Sequence, residues 1–191
     1  MSPRTPEQFE SIRKRKREAI LDAGLNVFAN KGFHNASMNE VAQLAGISKG
    51  LIYNYFKSKE DLLQEIMLDG VNTLVPFFDP NKDGVLTREE FIFFVSESLD
   101  AVKKNREFWA LYFALSLQPG IAKLIMEQML KYLMPLMLML VEYYKNKGEK
   151  DPEGLAMTAG AFLDGITMNY AANPEMFPIE AAKKIFIEKF V

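Results

Sequence analysis

Residues 37–63 read SMNEVAQLAGISKGLIYNYFKSKEDLL, and three helix starts are written into them. Ser37 and Glu40, three places apart, form a capping box, in which each side chain takes a backbone amide that the helix start leaves unpaired. Ser48 stands as N-cap before KGLIYNY, and Ser58 with Asp61 repeats the box before a longer helix. The first two helices, Met38 to about Ala45 and Lys49 to Tyr55, are separated only by the turn Ala45-Gly46-Ile47-Ser48. A tight glycine turn between two short helices is the pattern of a helix-turn-helix, whose second helix enters the DNA major groove with its first residues against base edges.

Working outward, apolar residues at helical spacing recur throughout, while few segments alternate with the period of a strand. A first helix is expected from about Ser11 to Phe28, with Ile20, Leu21, Ala23, Leu25, Val27 and Phe28 on its apolar side and Gly32 as its left-handed cap. The third start opens a helix reaching about Val75. Beyond it, helices are expected over roughly 86–103, 106–116, 119–146, 152–172 and 178–190, with Pro135 kinking the longest. The fold class is therefore all-α. A three-helix helix-turn-helix domain over 1–60 precedes a larger helical domain over 61–191.

Composition narrows the chemistry. The chain has no cysteine and one histidine, His34, so disulfide frameworks, thiolate nucleophiles and histidine-rich metal sites are excluded. No plausible nucleophile–base pair stands out, and an enzyme is the poorest reading. The opening MSPRTPEQFE has no apolar region of signal-peptide type, and the strongly apolar run Leu133–Val141 is short for a bilayer, so a cytoplasmic protein with no membrane partner is expected. Charge is divided unevenly: residues 1–59 hold ten Lys/Arg against five Asp/Glu, and the remainder thirteen against twenty. A basic head on an acidic body suggests that the head meets a polyanion. The run Arg13–Arg17 would then add salt-sensitive phosphate contacts, or else be a solvated helix face.

The quoted stretch resembles the DNA-binding signature of the TetR family of one-component transcriptional regulators. The resemblance covers about residues 11–68. It rests on Gly32-Phe33, Ser37, Val41-Ala42, Ala45-Gly46, Ser48-Lys49-Gly50, Tyr53, Tyr55-Phe56 and Ser58-Lys59-Glu60. It implies a DNA-binding set of Ser37, Ser48, Lys49, Gly50, Tyr53, Asn54, Tyr55 and Lys59. Ser37 and the amides behind it suit a phosphate, since a helix N-terminus is an anion site. Tyr55 resembles the family's phosphate-contacting tyrosine, and Lys59 would be a second backbone clamp. Lys49 is the candidate for reading guanine, with Asn54 beside it. Phe56 reads as core, Tyr53 as either core or contact, and His34 as a surface residue of the turn with no catalytic role. Position 51 is Leu where the family more often has a small hydroxyl residue, which leaves a thymine contact and an inward orientation both open.

The resemblance further implies an effector held inside the helical body and a homodimer formed through the last two helices, its two heads reading a palindromic operator on double-stranded DNA. Methionines and aromatics stripe the body. Phe94, Trp109, Phe113, Met126, Met129, Met137 and Phe162 are the candidate pocket, and their character favours an apolar or aromatic small molecule. A plain core has the same pattern. Ala156, Ala159, Gly160, Gly165 and Ala171 among larger apolar residues would let the penultimate helix approach a partner closely.

One stretch lies outside that scheme. DPNKDGVLTREE, 79–90, carries the fixed residues of a calcium-binding EF-hand loop, with Asp79, Asn81 and Asp83, the carbonyl of Val85, then Thr87 and Glu90 as ligands and Gly84 at the turn. It equally reads as a turn followed by a Thr87–Glu90 capping box, with Pro76 interrupting the helix before it. No cofactor is required, and calcium is the one candidate. Two whole-protein readings follow: a dimeric, ligand-responsive transcriptional regulator of the family's repressor type, and a helical calcium sensor or buffer.

Overall fold

The computed structural model describes residues 5–191; the first four residues of the amino-terminal stretch, and of the expected 1–60 domain, lie outside the described residues. Among the described residues there are nine helices and no strand: α1 Pro6–Lys31, α2 Met38–Leu44, α3 Lys49–Ile52, α4 Lys59–Phe78, α5 Arg88–Lys104, α6 Arg106–Ser116, α7 Ile121–Asn146, α8 Pro152–Ala172 and α9 Ile179–Phe190. The all-α expectation therefore holds, with a helix-turn-helix head and a larger helical remainder.

Several boundaries differ from the sequence reading for identifiable reasons. α1 starts five residues early, because Thr5 and Gln8 form a capping box and Pro6 occupies the first turn, where its missing N–H costs nothing. Apolar periodicity cannot reveal that extension, since residues 6–19 are almost wholly exposed. Gly32 takes a positive φ of 87° with ψ 134°, outside the left-handed helical cap expected of it. α3 is only one turn long; Asn54 and Tyr55 donate to the carbonyls of Leu51 and Ile52 in a tightened end that leaves the helix. α4 continues through Pro76 to Phe78 instead of stopping before it, and α7 carries Pro135 within one continuous helix.

The chain divides into two compact units. The first extends to Leu68 and also takes in Ala114–Ile125, which a boundary at residue 60 assigns to the body. Its core is Ile20, Leu25 and Phe28 of α1, Val41 and Ala42 of α2, Ile52, Phe56, and Leu62, Leu63 and Ile66 of α4, all at most 2% exposed. Gly24 lets α1 and α4 meet: a Cβ there would lie 2.9 Å from Ile66 and 3.0 Å from Leu62. Leu115 and Ile121 are fully buried in the same unit.

The second unit comprises Asp69–Phe113 and Met126–Val191. Here α5, α8 and α9 pack on one another, with the end of α7 beside them. Phe91 stands edge-on to Tyr143, Tyr144 and Phe186 at centroid distances of 5.4, 6.5 and 6.0 Å. The hydroxyls of Tyr143 and Tyr144 donate to the carbonyls of Val191 and Phe190, each at 2.8 Å, which ties the last residues of the chain to α7. Gly70 gives room to the Tyr112 ring, which a Cβ would approach to 2.4 Å.

The apolar run Leu133–Val141 proves to be part of a 26-residue helix, so run length underestimates it. By length and composition alone α7 reaches what a membrane crossing needs, a test that core helices of soluble proteins also pass.

Candidate nucleic-acid interface

Around the turn that joins α1 to α2, side chains close on backbone groups that helix ends leave unpaired. At the start of α2, the Ser37 hydroxyl accepts from the Glu40 amide and donates to the Glu40 carboxylate at 2.8 Å, while the Ser37 amide donates to the same carboxylate at 2.9 Å. Lys31 pairs with the other Glu40 oxygen. That lysine, followed by the Ser37 hydroxyl and amide, holds the Glu40 carboxyl down to about 2. Ser48 caps α3 through the Leu51 amide, and Ser58 caps α4 through the Asp61 amide at 3.1 Å. The Asp61 carboxylate reaches back to the Lys57 amide at 2.7 Å, one residue beyond Ser58.

These caps fix a surface. Ser37, Ser48, Lys49, Gly50, Tyr53 and Asn54 are all exposed, and Tyr55 is half-buried. Tyr53 is 47% exposed, which resolves its two readings in favour of an available ring, whereas Phe56 at 2% is core. Leu51 is half-buried and Ile52 fully buried, so the apolar side of α3 faces the head and its Lys49–Gly50 edge faces outward. Of the basic run, Arg13 to Lys16 are exposed, while Arg17 pairs with Glu65 and lies 5.5 Å over the Phe56 ring.

Lys59 does something other than expected. Its ammonium donates to the carbonyls of Phe33, His34 and Ala36 at 2.8, 3.3 and 3.1 Å and sits 4.6 Å from the Phe33 ring centroid. Three donors meet three acceptors, so the group is occupied in fastening the α1–α2 turn and is not held out toward a phosphate. His34 is exposed, with Nε2 3.3 Å from the Pro119 carbonyl. Sequence reasoning missed Gln118, whose side chain joins the same turn; nothing in its neighbourhood in sequence marks it.

Of the candidate pocket residues, Phe94 and Met137 pack against the same core of the second unit. Trp109 and Phe113 lie together on α6 with ring centroids 6.1 Å apart, and Phe94 packs edge-on to Phe78 at 4.8 Å. Met129 and Met137 are half-buried on α7, but Met126 is 55% exposed. Phe162 is 44% exposed and lies tilted against Phe186 and Phe190 of α9. The small residues of α8 also divide. Ala156, Ala159 and Ala171 are buried inside the chain, leaving Gly160 and Gly165, where a Cβ would meet nothing, together with Met157, Ala161, Phe162 and Met168 toward the outside.

In the loop 79–90 the oxygens turn onto local donors. The Asp79 carboxylate accepts from the Asp83 and Gly84 amides, the Asn81 oxygen from the Asp83 amide, and the Asp83 carboxylate from the Val85 amide at 2.8 Å. Gly84 has φ 76°, and Thr87 with Glu90 caps α5. Among the described residues, no three carboxylate, cysteine or histidine groups are gathered as a metal would need them.

Residues 20–66 match the family model described as bacterial regulatory proteins, tetR family. The chain is 34% identical over 74 residues to the HTH-type transcriptional repressor KstR2 of Mycolicibacterium smegmatis, covering 39% of this chain and 34% of that one. The chain spans about a third to two-fifths of the length of this and similarly matched curated relatives. It is 26% identical over 190 residues to the HTH-type transcriptional regulator BetI of Vibrio vulnificus, covering 92% of each. Its fold is like that of the transcriptional regulator FadR from Bacillus subtilis, crystallised in complex with stearoyl-CoA: TM-score 0.73, 21% identity, 91% of this chain and 97% of that one. The exposed Ser48–Asn54 edge thus lies within residues 20–66, the stretch that is similar to the bacterial regulatory proteins of the tetR family.

Proposed function

We propose that the protein is a transcriptional repressor acting in the cytoplasm as a homodimer, that it binds a palindromic duplex operator, and that a small apolar effector controls it. One observation carries the DNA-binding part: the outward edge Ser48, Lys49, Gly50, Tyr53 and Asn54, presented by helices whose starts are individually capped. In this arrangement Lys49 reads guanine in the major groove, and Tyr53 and Tyr55 meet the sugar-phosphate backbone. The amides at the start of α2 take a phosphate. Arg13 to Lys16 add contacts that carry no sequence information and weaken with salt.

Dimerisation follows from what α8 leaves uncovered. Met157, Phe162 and Met168 are 67%, 44% and 37% exposed on one side of the helix, and Ile185 of α9 is 48% exposed. With Ala161, Gly160 and Gly165 between them, these residues form a surface that a second copy can approach closely and cover. A two-fold dimer supplies the second recognition helix that a palindrome requires. For the effector, the aromatic group Phe108, Trp109, Tyr112 and Phe113 on α6 supports an apolar ligand, as does the acyl ligand of the similarly folded FadR.

The test is retention on immobilised duplex DNA at increasing salt. The wild type elutes late and salt-dependently, and Lys49→Ala with Tyr55→Ala elutes early at every salt concentration. Equal elution of the two proteins overturns the DNA-binding reading.

A further inference from the structure

Past the middle of α8 stands Asp164, a carboxylate without a partner. α8 carries no lysine or arginine, and α6 carries only Arg106, at its start. Among the described residues no donor or cation reaches the Asp164 carboxylate, and burial alone pushes its carboxyl above the ordinary value of 3.8. Yet the side chain is exposed. A group that water reaches and that protein nonetheless desolvates lies in a recess. Gly160, one turn earlier on the same side of α8, is half-buried, and a Cβ there would meet nothing, which leaves room beside the carboxylate.

The recess has an aromatic wall. Arg106 Nη1 donates to the Ala171 carbonyl at 3.0 Å, which pins the start of α6 to the end of α8. Burial first, and then the Asp164 charge, push the Tyr112 hydroxyl up, so Tyr112 and Asp164 are neighbours as well. The rise is about 9 Å from Arg106 to Tyr112 and about 10 Å from Ala171 back to Asp164, so the two helices run antiparallel with Tyr112 level with Asp164. Trp109 and Phe113 follow Arg106 by three and seven residues, on the side that α6 turns toward α8. Their rings lie 5.4 and 5.8 Å from that of Tyr112. All these residues belong to the second unit. A desolvated, unpaired carboxylate costs stability, and aromatic faces attract cations. A neutral or anionic molecule in the recess would bury the carboxylate further and leave it unpaired, whereas a cation would pair with it. We propose that the effector is an organic cation, an apolar body carrying a quaternary or protonated centre, whose charge pairs with Asp164 while its apolar part lies against Trp109 and Phe113. The proposal rests on the effector reading above and narrows its ligand class.

Binding is read by calorimetry and by the emission of Trp109, the only tryptophan of the chain. The probes are two aromatic cations, tetraphenylphosphonium and the smaller benzyltriethylammonium. Tetraphenylborate serves as an anion of the first one's shape, and triphenylphosphine oxide as a neutral relative. The full-length wild type is expected to bind at least one cation, with a change in Trp109 emission. That affinity should exceed those for the anion and the neutral probe by about tenfold or more. Asp164→Asn is expected to lose about tenfold or more of the cation affinity, and Asp164→Glu to keep the preference for cations. Because Asp164→Asn removes a desolvated charge, the thermal midpoint of the free protein should stay level or rise. Cation affinity unchanged in Asp164→Asn, or an anion or neutral probe bound by the wild type as tightly as the cations, overturns the proposal. Should Asp164→Asn fail to fold, Asp164→Glu and the wild-type preference between the phosphonium and the borate decide in its place. If the neutral or anionic probe binds and neither cation does, the apolar-effector reading survives and the cation falls. If no probe binds, both fall.

Discussion

The two units hold their shape by different means. In the first, an apolar core is supplemented at nearly every helix end by a named polar partner: Thr5, Ser37, Ser48 and Ser58 at the starts, and Lys59 and Gln118 at the turn between α1 and α2. In the second, rings and aliphatic side chains dominate, with the mutually tilted Phe162, Phe186 and Phe190 and the α6 aromatics as its recurring theme. A surface that must present Lys49 and Tyr53 in fixed positions needs directional bonds. If this contrast is physical, deleting core volume should hurt both units alike, while deleting polar partners should hurt the first more than the second.

The largest effect tests the shared half of that statement. Phe28→Ala in the first unit and Phe91→Ala in the second each remove a ring that is at most 1% exposed, and each is expected to cost about 3–5 kcal/mol, read from denaturant midpoints. A loss below about 1 kcal/mol in either would mean that the site collapses freely and is not packed as described.

Next comes the pair Lys59 and Lys49, ten residues apart and both expected from sequence to contact DNA, one at the backbone and one at a base. Lys59→Met leaves three carbonyls without their donor and is expected to cost about 1–3 kcal/mol of stability. Lys49→Met touches no such network: its stability should be unchanged, while duplex affinity falls by about 1–3 kcal/mol. If Lys59→Met instead leaves the unfolding midpoint alone and flattens the salt dependence of DNA binding, the lysine is a phosphate clamp after all.

That pair also shows where sequence reading reaches its limit. The helices, their caps and the glycine turn are local, so Ser37, Ser48 and Ser58 announce them within four residues. The outward edge of α3 follows from the same local pattern. The destination of the Lys59 ammonium depends on carbonyls 23 to 26 residues away, and that of Gln118 on groups 85 to 90 residues away, distances over which no periodicity speaks. The body fared similarly. Its helices were legible from 3.6-residue periodicity, but periodicity assigns a face without naming its neighbour. Periodicity gives no sign that Phe162 lies tilted against Phe190 of α9, or that Ala156 and Ala159 are buried within the chain.

A smaller effect separates the two readings of residues 79–90. As the structure has it, Thr87 and Glu90 are a cap, so Thr87→Ala should cost about 1 kcal/mol with or without calcium. Glu90→Gln, which keeps an acceptor at the third helical position, should leave the thermal midpoint unchanged in millimolar calcium. Calorimetric binding of calcium against an excess of magnesium, lost in Glu90→Gln, would instead make the loop a metal site and add a directional anchor to those the body already has in the Tyr143 and Tyr144 hydroxyls.

The same capping box recurs in the head, where Glu40 serves Ser37 as Glu90 serves Thr87, but with Lys31 added. The lysine and the Ser37 bonds hold the folded-state carboxyl at about 2, below the ordinary value of 4.5 that the unfolded chain would show. A carboxyl depressed on folding contributes stability above its unfolded value, and that contribution is lost as pH falls toward the folded one. Unfolding of the first unit should therefore become easier between about pH 4.5 and 2, and Glu40→Gln should remove part of that dependence while leaving the midpoint at pH 7 only slightly lower. The effect is small because Glu40 is solvent-exposed and its pair with Lys31 is screened, so high salt should shrink it further. Wild-type and Glu40→Gln midpoints that run parallel from pH 7 to 2 would show that the lysine adds nothing to the box, and that in this respect the caps of the two units are alike.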